Sequence, residues 1–94
     1  MAAILPLRFR ILHRVFLADG QPLTTNEIYK DLYDEYTGEG QFSLELMEDH
    51  LISIKAVGLI EAVEPYFDDH GEARYKYRIT DTGRARTKYL PKQL

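Results

Sequence analysis

The chain has 94 residues, 45% of them hydrophobic, which is enough apolar material for one modest core and too little for two domains. It contains no cysteine, so disulfides and thiolate metal sites are excluded, a composition that fits a reducing compartment. The net charge of −3 conceals blocks of opposite sign: Arg8, Arg10 and Arg14 meet no acid before residue 19, nine acids face Lys30 alone over 19–50, and seven bases meet only Asp81 over 73–94.

Met1-Ala2-Ala3-Ile4-Leu5 is short and soon interrupted by Pro6, Arg8 and Arg10, unlike a signal peptide or membrane span, and a soluble, cytoplasmic protein is expected. Pro6 suits a first helical turn. Leu7, Ile11, Leu12, Val15 and Phe16 then recur at three- and four-residue spacing, the buried stripe of a helix over about 6–18. Asp19-Gly20-Gln21-Pro22 supplies the stop. Thr24 or Thr25 caps a second helix over about 25–36, with Glu27 and Asp31 toward its positive end. Ile28, Leu32 and Tyr36 share one face of it, with Tyr29 and Tyr33 beside them.

Thr37-Gly38-Glu39-Gly40-Gln41 breaks the pattern. Ser43 caps a third helix over about 43–57 whose buried stripe is expected to be Leu44, Met47, Leu51 and Ile54, and Gly58 ends it. A strand follows over about 59–66, limited near its end by Pro65, and Phe67 to Ala73 makes a polar turn. In the return strand, about 74–79, alternation sends Tyr75, Tyr77 and Ile79 to the core face and Arg74, Lys76 and Arg78 to the other. Thr80 or Asp81 caps a last helix over about 81–90, and Pro91 stops it.

This order of elements resembles the winged-helix domains of small prokaryotic, phage or plasmid transcription regulators. Leu51-Ile52-Ser53-Ile54-Lys55-Ala56-Val57-Gly58-Leu59-Ile60 is similar to their recognition helix running into the first wing strand. Tyr77-Arg78-Ile79-Thr80-Asp81-Thr82-Gly83-Arg84 is similar to their junction of the second wing strand with the last helix. The resemblance implies an α+β winged helix-turn-helix over 1–94, with a three-helix core, a two-stranded β-hairpin wing and a C-terminal helix. It implies a homodimer on double-stranded DNA, with the third helix in the major groove and the wing along the backbone. Gln41, Ser43, Glu45, Asp49 and Ser53 are then the candidate base readers, and Arg74, Lys76, Arg78, Arg84 and Arg86 the candidate phosphate contacts.

The residues themselves keep a second reading open. With the third-helix stripe buried, Glu45, Asp49, Ser53 and Ala56 fall on the exposed face, flanked by Leu46 and Ile52. Carboxylates can accept from cytosine amino groups, yet near phosphates they repel. The alternative is a protein-interaction module whose acidic face, Asp31, Asp34, Glu35, Glu45 and Asp49, docks a basic protein or imitates nucleic acid. Likewise the wing bases either track phosphates or pair with Glu61 or Glu64 on the neighbouring strand.

Tyr29, Tyr33, Tyr75 and Tyr77 fall on aliphatic faces and suit a core or dimer seam better than stacking platforms. Tyr89, Leu90 and Leu94 form an apolar edge that can pair with Ile4, Leu5 and Phe9 of another subunit. Asp68-Asp69-His70 reads as turn chemistry. With no nucleophile elbow and no glycine-rich phosphate loop, no enzyme activity, metal or cofactor is expected.

Overall fold

A computed structural model describes residues 6–36, 38 and 42–88. In chain order it has α1 (Leu7–Leu17), α2 (Thr25–Tyr36), α3 (Leu44–Ala56), β1 (Ile60–Phe67), β2 (Ala73–Ile79) and α4 (Asp81–Thr87), a winged helix-turn-helix of the α+β class.

Pro6 occupies the N-cap position of α1, where its missing amide leaves no helical bond unmade, and its carbonyl receives the Arg10 amide at 3.0 Å. Thr24 caps α2 reciprocally. The Glu27 amide donates to Thr24 Oγ1 at 3.0 Å, and the Thr24 amide donates to Glu27 Oε1 at 2.8 Å. Thr25, the first residue of α2, is thereby free to use its hydroxyl elsewhere. Ser43 caps α3 by accepting from the Leu46 amide at 3.1 Å, and Gly58 follows its end at φ 82°, a conformation that glycine takes without a side-chain clash.

The core lies where the three helices meet the base of the wing. Ile11, Val15, Ile28, Leu32, Met47, Leu51 and Ile60 are fully buried in it. The expected α3 stripe needs one correction: Leu44 is 43% exposed. It opens the helix beyond the reach of the core, and Phe42 packs there instead, stacked on Tyr29 at 4.8 Å and on Tyr36 at 5.9 Å between ring centres.

The hairpin is antiparallel, with Ile60 opposite Ile79, Glu61 opposite Arg78, Ala62 opposite Tyr77 and Val63 opposite Lys76. Between Val63 and Tyr66 the register slips, so that Glu64 and Pro65 together oppose Tyr75. This is a β-bulge, with Glu64 at φ 47°. Bulges sharpen the local twist, and here the expected alternation fails beyond it: Tyr75 is 51% exposed rather than part of the core, while Tyr77 and Ile79 remain buried. Leu23, in the α1–α2 connection, exchanges two backbone hydrogen bonds of 2.8 Å with Tyr77 and anchors the other edge of β2.

Thr80 caps α4 by accepting from the Gly83 amide at 3.0 Å. Gly83 is required by close approach, because a Cβ there would strike the Leu59 carbonyl. No helix among the described residues is long and apolar enough to cross a membrane.

Candidate functional site

The outer part of the third helix and the tip of the wing border one cleft. Glu45, Asp49, Ile52 and Ala56 form the exposed face of α3, as about 100° per residue dictates. Ser53 is half-buried at its flank, and Ser43 is committed to capping. Neither Glu45 nor Asp49 has an ion-pair partner among the described residues. The arginines of α1 do not reach them. Arg10 forms a two-bond fork with Glu35 at 2.9 and 3.0 Å, and Arg14 meets Asp31 at 2.8 Å. Arg8 donates to His50 Nδ1 at 3.3 Å, and burial, followed by Arg8, lowers the His50 pKa.

The basic wing is matched against its own acids. Arg78 Nε lies 2.6 Å from Glu61 Oε2, and Lys76 Nζ lies 3.4 Å from Glu64 Oε1. Arg74 is the most heavily engaged, at 2.8 Å from Asp68, 3.4 Å from Glu72 and 3.8 Å from Glu48. Arg84 reaches back to Asp19 at 2.6 Å. Arg86 is exposed and has no ion pair among the described residues. Gln41 lies outside the described residues, as do Ile4, Leu5, Tyr89, Leu90, Lys92 and Leu94, so the terminal seam expected from the sequence is not described; Phe9 is exposed.

Two carboxylates organise this surface: Asp68, read from the sequence as turn chemistry, and Glu48, which the sequence reading did not single out. Asp68 Oδ1 accepts from the His70 and Glu72 amides, both at 2.9 Å, while Oδ2 takes the Arg74 guanidinium. The Arg74 bond above all, then the Glu72 amide, holds its pKa down at about 2. Asp68 is the first residue of the turn closed by the Gly71 amide on its carbonyl at 2.9 Å, and an Asp at that position carries the sequence signal for this role. Glu48 receives Tyr77 Oη on one oxygen and Thr25 Oγ1 on the other, each at 2.6 Å. Nothing in the sequence marks it, because its partners lie 29 and 23 residues away.

Between α3, the start of α2 and the wing tip lies an open cleft of about 340 Å³. Its walls include Glu45, Glu48, Asp49, Asp68 and Asp69, against which stand Arg74, already bound, and His70. The outer face of α3 and the inner face of the wing tip thus present a largely acidic surface. Lys76, Arg78 and Arg86 lie outside this lining.

No protein-family model matches the chain, and no curated protein matches it. Solved structures do. One, from Thermoplasma acidophilum, to which a role as transcriptional regulator is attributed, is 21% identical with a TM-score of 0.64 over 87% of this chain and 73% of its own. A PadR-like transcriptional regulator from Bacillus cereus is 21% identical with a TM-score of 0.63 over 87% of this chain and 74% of its own. At this identity the likeness establishes the winged-helix fold.

Proposed function

We propose that the chain is a DNA-binding transcriptional regulator: a single winged-helix domain over 1–94, cytoplasmic, homodimeric and not an enzyme. The observation that carries this reading is the placement of Lys76 and Arg78 at alternate positions of β2, on a wing that the Tyr77–Glu48 bond joins to a third helix with an exposed outer face. Two cations at that spacing can follow a phosphate backbone, and Arg86 adds a third. Their carboxylate partners do not forbid it. Exposed ion pairs contribute about 1 kcal/mol or less, so a phosphate can take a carboxylate's place. Arg74, bound by Asp68, Glu72 and Glu48, serves the shape of the wing rather than the backbone contact. Regulators share this fold, which is consistent with the reading.

The second reading, docking of a basic protein, is favoured by one observation: Glu45 and Asp49 are exposed, have no ion pair among the described residues, and line the acidic cleft. The two readings part on Lys76→Ala/Arg78→Ala. A dimer gripping roughly three phosphates per subunit gives a slope of about −5 in log K against log salt. Removing two bases per subunit flattens it toward about −2. An unchanged slope removes the wing from the DNA contact and leaves the acidic face as the working surface.

A further inference from the structure

We propose that the carboxylates of β1 act as a built-in brake on the wing, with Glu61 and Glu64 holding Arg78 and Lys76 back from the phosphate backbone of duplex DNA. The inference rests on the DNA-binding reading and adds to it what limits sequence-independent affinity.

Glu61 is the direct register partner of Arg78, and its ion pair needs no special geometry. Lys76 is different. Its register partner is Val63, which carries no charge. In an uninterrupted strand Glu64 would project to the opposite face from Glu61, and Lys76 would stand unmatched. The bulge changes this. Glu64 takes φ 47°, a left-handed conformation that side chains disfavour, immediately before Pro65, where extended backbone is the rule. In that conformation its Oε1 comes to 3.4 Å from Lys76 Nζ.

A strained residue whose side chain completes a charge pair is evidence of what the strain serves. The result is a wing on which each base of β2 meets a carboxylate: Arg78 with Glu61, Lys76 with Glu64, and Arg74 with Asp68 and Glu72. Moving a base from its carboxylate to a phosphate gives up the ion pair, and the released carboxylate then stands beside the DNA and repels it. Both effects weaken the sequence-independent term, which depends on counterion release. Binding then depends on additional contacts from α3, so the brake favours the specific site over random sequence.

The test is a salt titration of a labelled random-sequence duplex with four chains: the unaltered protein, Glu61→Gln, Glu64→Gln and Asp34→Asn. Asp34 is an exposed α2 residue with no ion pair among the described residues, so its change removes the same charge away from the wing. Glu64→Gly is a companion variant, because glycine takes the left-handed conformation freely and keeps the bulge without the carboxylate. Thermal melts verify folding. The expected result is binding roughly two- to fivefold tighter at low salt for each glutamate variant, with little change for Asp34→Asn. Equal shifts in all variants would reduce the effect to net charge and overturn the brake. Unshifted glutamate variants beside an unaltered chain that binds would overturn it and leave the DNA reading standing. No binding by any chain would overturn both.

Discussion

Tyr77 donates its phenolic hydrogen to Glu48 Oε2 at 2.6 Å, which ties the second wing strand to the third helix, and Thr25 brings the start of the second helix to the same carboxylate. Burial first, then this bond to an anionic acceptor, raises the Tyr77 pKa. Three elements that must keep a fixed relation for the wing and α3 to meet one surface are thus joined at a single side chain.

Tyr77→Phe and Glu48→Gln are therefore expected to be coupled. Each single change should cost about 1–3 kcal/mol in chemical denaturation, and the double variant should cost less than their sum by about 1 kcal/mol or more. Strict additivity would show that the bond does not join the two elements.

Gly83→Ala should destabilise the fold by about 1–3 kcal/mol, because its Cβ would meet the Leu59 backbone carbonyl, which cannot rotate away as a side chain does. Equilibrium denaturation of the variant tests this. A neutral effect would mean that α4 can move off the base of the wing without cost.

The wing turn should resist acid. Asp68 has a folded pKa of about 2 against an ordinary 3.8, so the folded state binds its proton later than the unfolded chain does. Its contribution is fully present above about pH 4 and is lost as the pH falls through about 2. The side-chain carboxyl carbon resonance of Asp68 should stay constant from neutral pH to about 3 and move below it. Movement centred near 4 would show that Asp68 is not held by Arg74.

Reversing the charge of the outer α3 face, with Glu45→Lys and Asp49→Lys together, should tighten low-salt DNA binding by about tenfold or more, since two repulsive charges per subunit become attractive. If affinity fell or held constant, α3 would lie away from the duplex and the protein-partner reading would gain.

The helices were legible because local rules govern them. Pro6, Thr24, Ser43 and Gly58 stand where caps and stops belong, and the apolar spacing of α1 and α2 predicts their buried faces. Leu44 was misassigned because periodicity knows the phase of a helix and not where its first turn outruns the core. Tyr75 was misassigned because period-two alternation assumes an unbroken ladder, and the bulge at Glu64 and Pro65 breaks it. The pairing of wing bases with Glu61 and Glu64 was legible as one of two readings. The joining of Arg10 to Glu35 and Arg14 to Asp31 was not, because it depends on how α1 and α2 cross; it pairs two bases of the first charge block with two acids of the second. Glu48 was invisible for the same reason.

The most direct test of the account is equilibrium binding of the unaltered protein to a labelled random-sequence duplex at low and at near-physiological salt. The account predicts binding at low salt that weakens steeply as salt rises, with a slope of about −5 for a dimer. No binding at low salt, or binding indifferent to salt, would contradict it.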